Sequence, residues 1–296
     1  MKTLEKPIIR EVGVESAVWY FSNRLTYLVD PEEVDGKFGL FHARISKNGM
    51  PPAHVHTRED EAFFMLKGEF RILVGDREYF AKPGDLVYLP RGVAHAAIPM
   101  TEEVETLALI LPGDMMSFFR GFSYPALHDG LPNPDERRIP DVADILRAAY
   151  EHQLTQLPPG ASPSNWYMPE IHAEPMHVTA HSSEGFEVPG AEVRPILRLE
   201  NTQKLMSMYE VEVSGNSSFN ALGQDALTIV VLDGAFEIEV DGMQIIGTQN
   251  TAIQVPAGAS RLVKNYTHAN GRILLLAANP ALELALESSG CMAISA

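Results

Sequence analysis

Three histidines and one glutamate at close spacing carry the chemistry that this sequence offers. His54 and His56 are separated by one residue, Glu61 follows five positions later, and His95 comes after the turn Pro90-Arg-Gly92. Residues i and i+2 of a strand point to the same face, so His54 and His56 can project together into one interior. Three imidazoles and one carboxylate suit a mid-row divalent metal, with coordination positions left open for a substrate or dioxygen.

Short apolar segments separated by turn residues must position these four side chains. Segments such as EFRILVG, LVYLP and ETLALILP have strand length, and 22 glycines and 21 prolines punctuate the chain. Evenly spaced short strands with turn signals predict an all-β sandwich or barrel, and no βαβ alternation is visible. The period of two that starts at Glu61 places Phe63 and Met65 on the same face.

An internal repeat indicates that this β domain occurs twice. EAFFMLKGEFRILVGD (61–76) aligns with LTIVVLDGAFEIEVDG (227–242), and LPRG (89–92) aligns with VPAG (255–258). A repeat of whole strand sets predicts two copies of one domain rather than a solenoid. The predicted organisation is an N-terminal barrel over 1–113, a connector over 114–189 and a C-terminal barrel over 190–296.

The connector differs in composition from the two repeats. Twelve of the 21 prolines lie between Pro112 and Pro195. The segment 141–154 has apolar residues at helical spacing with Pro140 just ahead, which predicts a helix. A shorter helix is expected after Asp114, whose side chain can cap it.

Two motifs around the candidate ligands resemble those of the cupin superfamily. Gly49-MPPA-His54-V-His56-TRED-Glu61-AFFMLK-Gly68 resembles the first cupin motif, and Gly84-DLVYL-Pro90-R-Gly92-VA-His95 resembles the second. The first has four residues between Gly49 and His54 where five is usual, and Pro99 replaces the usual terminal Asn of the second. The resemblance implies two jelly-roll (double-stranded β-helix) barrels, with His54, His56, Glu61 and His95 as the ligands of one metal.

The second repeat has lost the ligand positions. The alignment puts Asn220, Leu222, Leu227 and Arg261 where His54, His56, Glu61 and His95 stand. A cationic Arg261 opposes a metal, so the C-terminal barrel is expected to be a degenerate cupin that binds none. In a second interpretation, Arg261 holds an anion there.

The local sequence narrows the resemblance to one kind of cupin. HTREDEAFFMLKGEF and the following LILPGDMMSFFRGFSYP resemble bicupin flavonol 2,3-dioxygenases, also called quercetinases. That resemblance implies a metal-dependent dioxygenase that opens a flavonol heterocycle with O2 and releases carbon monoxide, leaving a depside. Glu61 is then both metal ligand and general base, since a carboxylate within reach of a metal-bound hydroxyl can accept its proton.

Apolar residues near the ligands are the candidates for the substrate walls. Met50, Phe63 and Met65 are expected to bind the substrate, and four further residues are candidates for a roof over the barrel mouth: Met115, Met116, Phe118 and Phe119. For each of them, plain core packing is the competing interpretation. His42, in KFGLFHARI, is interpreted as an ordinary strand histidine that could also reach the cavity.

Other functions use the same site. A cupin lyase, isomerase or decarboxylase acting on a small oxygenated acid is one alternative, and a non-catalytic metal-binding cupin is another. A small cavity lined by Arg or Lys would favour binding of the acid, but the only cations within four residues of the candidate ligands are Arg58 and Arg91. Ligand type does not choose among iron, manganese, nickel, cobalt and copper.

Composition sets outer limits on partners and location. The chain has 23 basic and 39 acidic residues, a net charge of −16, which argues against nucleic acid and anionic membranes. One cysteine, Cys291, allows no internal disulfide, and no apolar run is long enough for a membrane helix. We expect a cytoplasmic monomer or homodimer whose partners are a small aromatic substrate and O2.

Overall fold

The computed structural model describes residues 4–166, 173–221 and 224–288. Leu222 and Cys291 lie outside these ranges. The chain divides into two compact units. The N-terminal unit comprises Val12–Pro31 and Gly36–Ser182, and the C-terminal unit comprises Met1–Glu11, Glu32–Asp35 and Ser183–Ala296.

Most described residues of both units lie in short strands or the turns between them. The strands up to residue 178 are, in chain order, β1 (Ile8–Glu11), β2 (Ala17–Tyr20), β3 (Asn23–Val29), β4 (Gly39–Ser46), β5 (His54–His56), β6 (Asp60–Lys67), β7 (Phe70–Val74), β8 (Arg77–Ala81), β9 (Leu86–Leu89), β10 (His95–Pro99), β11 (Glu103–Leu111), β12 (Ser123–Pro125), β13 (Leu154–Gln156) and β14 (Met176–Val178). Two α-helices lie among them, α1 (Met116–Gly121) and α2 (Val142–Glu151).

The remainder of the C-terminal unit continues the same pattern. Its strands are β15 (Phe186–Val188), β16 (Ala191–Leu197), β17 (Ser207–Val213), β18 (Ser218–Phe219), β19 (Leu227–Asp233), β20 (Ala235–Val240), β21 (Met243–Thr248), β22 (Thr251–Val255), β23 (Arg261–Asn265) and β24 (Gly271–Ala277). A third helix, α3 (Ala281–Ser288), follows them. The expected all-β architecture of two barrels with a few connector helices is confirmed.

The N-terminal unit consists of two antiparallel sheets with one core between them. One sheet has the order β12-β2-β3-β4-β11-β6-β9-β14, and the other has the order β13-β5-β10-β7-β8. A single cluster of buried side chains includes Phe41, Phe63 and Ala108 of the larger sheet and Phe70 and Ile72 of the smaller one. Burial alternates along β7, as the period of two in its FRILV sequence predicts.

The C-terminal unit repeats this plan. Its sheets have the orders β1-β22-β19-β24-β17-β16-β15 and β18-β23-β20-β21. The sequence assigns Ile8–Glu11 to the first barrel, whereas the structure pairs this strand with β22 of the C-terminal unit. Four residues that alternate between half-buried and exposed can complete the edge of either barrel, so their pattern alone does not choose the partner strand.

Two motif glycines are required by close approach. Gly68 has a φ of +76°, and a Cβ there would collide with the Glu103 carbonyl on the neighbouring strand. A Cβ on Gly49 would collide with the Asn23 side chain, whose Nδ2 donates to the Gly49 carbonyl at 2.7 Å. These glycines fix the strand and loop that flank the candidate ligands.

The connector helices differ in detail from the expectation. Asp141 caps α2 through its side chain, which accepts from the Ala143 amide at 2.8 Å. Asp114 does not cap α1, because it lies inside the 3₁₀ turn Gly113–Met115 that leads into that helix. Met115 therefore takes the N-cap position of α1, and no side chain caps it.

Within the described residues, no helix combines the length and the apolar character needed to cross a lipid bilayer.

Candidate metal centre

The four candidate ligands come from strands of both sheets of the N-terminal unit. His54 and His56 lie on β5, and His95 lies opposite His54 on β10 of the same sheet. Glu61 lies on β6 of the other sheet, where it pairs with Leu89. The glutamate thus meets the histidines across the interior of the barrel.

These four side chains form one buried cluster. One ligand atom from each of His54, His56, Glu61 and His95 lies within 4.8 Å of all the others. His54 Nε2 is 3.2 Å from His56 Nε2, and His95 Nε2 is 3.4 Å from Glu61 Oε2. Each of the four residues is at most 7% exposed.

The hydrogen bonds of the rings leave nitrogen lone pairs aimed at a common point. His54 Nδ1 lies 2.9 Å from the Pro52 carbonyl, and His95 Nδ1 lies 3.1 Å from the Val93 carbonyl. A carbonyl can only accept, so both Nδ1 atoms carry the proton and both Nε2 atoms are unprotonated. His95 Nε2 is buried without a hydrogen-bond partner among the described residues.

Burial keeps the His54 and His56 imidazoles neutral. It lowers the pKa of His54 to about 3, with a further contribution from His95. It also holds the pKa of His56 well below its ordinary value. Neutral imidazoles that converge on a carboxylate, with a buried nitrogen left unpaired, fit a divalent cation, since one cation can accept several inward lone pairs at once.

The start of β6 is held by a buried ion pair. Asp60 is fully buried and accepts from the Arg91 amide at 2.8 Å, from Arg91 Nε and Nη2 at 2.9 Å each, and from the Tyr88 hydroxyl at 2.6 Å. Because its guanidinium is committed to Asp60, Arg91 does not line the cavity described next. The same contacts fix the backbone next to Glu61.

A cavity of about 1070 Å³ opens onto the cluster. His54, His56 and Glu61 form part of its wall, and so do Met50 and Phe63, two of the predicted substrate-binding residues. The third, Met65, is only 1% exposed and lies in the core, outside the wall. It shares a face with Glu61 and Phe63 but lies too deep along β6 to reach the cavity.

The expected roof is present in part. Met115, Phe118 and Phe119 line the cavity, whereas Met116 packs against Gly39. His42 does not line it, because its neighbours Phe41 and Ala43 face the cavity and His42 points to the other side of β4. There it lies 3.7 Å from Glu105 Oε2.

One wall of the cavity was not predicted. Ile145, Leu146, Ala149 and Tyr150 of α2 line it, although 57% of Leu146 and 84% of Tyr150 remain exposed. The signal in the sequence is the helical stripe itself, which looks the same whether it faces a core or a cavity.

The strand that follows α2 is attached to the ligand strand. In β13, Leu154 pairs with His56 and Gln156 pairs with His54. The Thr57 hydroxyl also donates to the Gln153 side chain at 3.0 Å. The connector therefore forms part of the site.

The wall of the cavity carries no cationic side chain among its lining residues. Among the residues that line the cavity, all of which the structure describes, none is Lys or Arg and Glu61 is the only carboxylate. The remaining wall is apolar, aromatic or neutral polar. Such a cavity accepts uncharged ligands more readily than small anions.

The aligned positions of the C-terminal unit are used differently. Leu227 is part of the buried core, and Asn220 is exposed. Arg261 is 6% exposed, and it donates from Nε to the Ala221 carbonyl at 3.1 Å and from Nη1 to the Asp225 carbonyl at 2.7 Å. The guanidinium thus donates to backbone acceptors of the C-terminal unit.

Comparison with known proteins identifies the fold. Residues 41–111 match the family model described as a cupin domain. Comparison with curated protein sequences finds no match.

Solved structures resemble the chain over most of its length. A Pseudomonas aeruginosa protein described as glyoxylate-induced shares 10% identity, with a TM-score of 0.62 over 93% of this chain and 90% of that one. Oxalate decarboxylase from Bacillus subtilis at pH 4.6 shares 16% identity, with a TM-score of 0.61 over 94% and 78%. Another structure of that enzyme, which concerns its Mn(II) centres, also shares 16% identity, with a TM-score of 0.61 over 94% of this chain and 78% of that one. At these identities the likeness shows the fold alone.

Proposed function

We propose that this protein is a metal-dependent dioxygenase that opens the heterocycle of a flavonol, or of a similar enolisable aromatic, with O2. The observation that carries the proposal is the cavity of about 1070 Å³, which has apolar and aromatic walls, no cationic residue, and Glu61 beside two imidazoles. A flat, uncharged ring system with one acidic hydroxyl complements such a wall.

In this proposal, His54, His56, Glu61 and His95 hold one divalent transition metal. The buried imidazoles of His54 and His56 are neutral and need lose no proton to bind it. When bound, the ion acidifies a ligated hydroxyl and polarises the neighbouring carbonyl. The donor set suits iron, manganese, nickel, cobalt and copper alike.

The residues of the chain then have separate tasks. Glu61 accepts the proton of the substrate hydroxyl at a carboxylate oxygen, which leaves the enolate as the electron-rich partner of O2. Met50, Phe63 and the aromatic roof hold the rings and keep water away from that oxygen. In the overall reaction, one flavonol and one O2 give one depside and one carbon monoxide, so no further reductant is needed.

The alternative is a lyase, isomerase or decarboxylase that acts on a small oxygenated acid. The fold likeness to oxalate decarboxylase supports it. The charge of the cavity weighs against it, because beyond the metal the wall offers a carboxylate substrate no cationic side chain, and Arg91 is committed to Asp60.

Oxygen uptake tests the proposal directly. Purified protein of measured metal content is offered flavonols, diketones and oxalate, while O2 consumption, carbon monoxide and carbon dioxide are followed. We expect O2 loss matched by carbon monoxide with a flavonol. Fully loaded protein that consumes no O2 with any of these compounds contradicts the dioxygenase, and carbon dioxide from oxalate without O2 loss supports the alternative.

A matched pair of variants tests the role of Glu61. Glu61→Gln keeps the size of the side chain but cannot accept the proton, so turnover per bound metal should fall by roughly 10²–10⁴-fold. The control is Glu69→Gln, an exposed carboxylate two residues beyond β6, which should leave turnover unchanged. Full turnover by Glu61→Gln would rule out the carboxylate as the base.

A further inference from the structure

One half-buried hydroxyl in the cavity wall has no hydrogen-bond partner among the residues that the structure describes. The wall contains Tyr20, Ser22 and Asn23 close together. Asn23 is fully committed, with Oδ1 accepting from the Ser46 amide at 3.1 Å and Nδ2 donating to the Gly49 carbonyl, and Ser22 pairs with Ser46 at 2.9 Å. No described residue donates to or accepts from the hydroxyl of Tyr20.

The other neutral polar residues of the wall are committed or lie at the rim. Thr57 donates to Gln153. Four others are exposed to solvent: Asn48, Tyr150, Thr155 and Gln156. Outside the ligand cluster, Tyr20 is thus the only half-buried wall residue whose polar group lacks a protein partner among the residues that the structure describes.

The ring of Tyr20 is held in place by its neighbours. Tyr20 is the last residue of β2. Its ring packs edge-on against Phe119 and Phe21, with distances between ring centroids of 5.4 Å and 4.6 Å. Burial raises the pKa of the Tyr20 hydroxyl, and the charges of Tyr27 and Glu61 add to that rise. The phenol therefore stays protonated at neutral pH, in the wall of the same cavity as Glu61.

We propose that Tyr20 is a substrate-binding residue that selects a hydroxyl beside a carbonyl, by donating its phenolic hydrogen to the carbonyl oxygen while Glu61 faces the hydroxyl. This inference rests on the proposed function of the cavity. The two groups are complementary, since a phenol donates and a carboxylate only accepts. An aromatic ligand with a carbonyl acceptor next to an acidic hydroxyl satisfies both.

The same hydrogen bond assists the proton transfer. When the hydroxyl loses its proton to Glu61, the carbonyl oxygen loses the internal hydrogen bond from that hydroxyl and gains an adjacent oxyanion. A hydrogen bond to that oxygen strengthens as the charge develops, so Tyr20 stabilises the enolate more than the neutral ligand. Tyr20 thereby contributes to both selection and reactivity.

A pair of ligands and a pair of variants isolate this hydrogen bond. The ligands are 3-hydroxyflavone and its 4-thiocarbonyl analogue, in which a weakly accepting sulfur replaces the carbonyl oxygen. The variants are Tyr20→Phe and, as control, Tyr27→Phe, since the Tyr27 hydroxyl pairs with Ser123 at 3.1 Å and does not line the cavity. Affinities are measured under nitrogen by fluorescence titration, at equal metal content and with full-length protein.

We expect unaltered protein and Tyr27→Phe to bind the carbonyl ligand about tenfold more tightly than the thiocarbonyl one. In Tyr20→Phe this preference should disappear through weaker binding of the carbonyl ligand. A preference that survives in Tyr20→Phe, or an equal loss for both ligands, overturns the inference, as does failure of the unaltered protein to bind either ligand.

The titration separates this inference from the proposed function. It is carried out without O2 and is therefore independent of turnover. Oxygen uptake with an unchanged ligand preference in Tyr20→Phe would contradict the role of Tyr20 alone. A Tyr20-dependent preference without oxygen uptake would contradict the dioxygenase and leave the role of Tyr20 standing.

Discussion

Glu61 differs from the three histidines of its cluster in the sheet that carries it. The histidines lie on β5 and β10, and Glu61 lies on β6 of the facing sheet. Closing the cluster on an ion therefore ties the two sheets of the N-terminal unit together. Since a ligand that binds only the folded state stabilises it, metal binding should also appear as a rise in melting temperature.

The first prediction concerns His95. Replacing it with Ala removes one of the four proposed ligands, so metal affinity should fall by about 100-fold or more. Metal content after dialysis against a weak chelator measures the effect. His181→Ala is the control, because His181 is exposed and lies outside the cluster, and its metal content should match that of unaltered protein.

The second prediction concerns pH in the absence of metal. The folded state holds His54 and His56 neutral with lowered pKa values, whereas the unfolded chain protonates both near pH 6.5. Stability is thus complete above about pH 6.5 and is lost as the pH falls, at about 1.4 kcal/mol per pH unit for each histidine. Denaturant unfolding of chelated protein between pH 7 and 5 measures the slope.

A variant and a metal titration check the cause of that slope. His54→Gln should have a shallower slope than unaltered protein, because one protonation is removed. Saturating metal should delay the loss of stability to lower pH. The same slope in His54→Gln would show that other groups cause it.

From the sequence, the convergence of the four side chains can be predicted better than the shape of the cavity can. The spacing of His54 and His56 on one strand follows from the period of two, and so does the common face of Glu61, Phe63 and Met65. Depth along a strand has no such signal, which is why Met65 is predicted as wall and is found in the core.

At the scale of elements, the helix α2 is unusual in how its apolar face is used. None of its residues is buried, yet its apolar stripe lines the cavity. A surface helix normally packs such a stripe on a core. Here the stripe borders open space, so a bound apolar ligand would supply the missing contact.

The third prediction tests this wall with two residues of the same helix. Leu146 lines the cavity and Val142 does not, although both are largely exposed, at 57% and 67%. Leu146→Ser should weaken binding of an apolar aromatic ligand by roughly 5- to 30-fold, because one contact is lost. Val142→Ser should leave affinity unchanged, and both variants should keep the melting temperature within about 2 °C.

Equal affinities of the two variants would mean that α2 does not contact the ligand.

A sequence pattern cannot distinguish a helix that faces a cavity from one that faces a core. The apolar periodicity of 141–154 predicts the helix, but the identity of what lies opposite depends on contacts far away in the chain. The missing cap at Asp114 has a similar origin, since a 3₁₀ turn over Gly113–Met115 shifts the helix start beyond it.

At the scale of the whole molecule, two barrels of one fold have different interiors. The N-terminal unit encloses the cavity and the ligand cluster. In the C-terminal unit, Arg261 stands at the position aligned with His95 and donates to two backbone carbonyls. The repeat in the sequence predicts the shared fold, and the four substituted positions predict the difference in chemistry.

The fourth prediction follows from Arg261. Arg261→Ala leaves the Ala221 and Asp225 carbonyls without these donors and opens a void, so the free energy of unfolding should fall by about 2–4 kcal/mol. Metal bound per folded chain should stay near one, because the proposed ligands lie in the other unit. Calorimetry and metal analysis of the same sample measure both. A stoichiometry near two in unaltered protein would contradict the assignment of a single site.

The attachment of β13 to β5 has a consequence for how the protein can change. The segment that shapes one wall, residues 142–156, enters and leaves the site as a single stretch of chain whose last strand docks on the backbone of His54 and His56. Backbone pairing is indifferent to side chains. The sequence of this stretch can therefore change, by natural variation or by design, without loss of the strand pairing. Such a change would alter which ligands enter the cavity while the histidines keep their geometry.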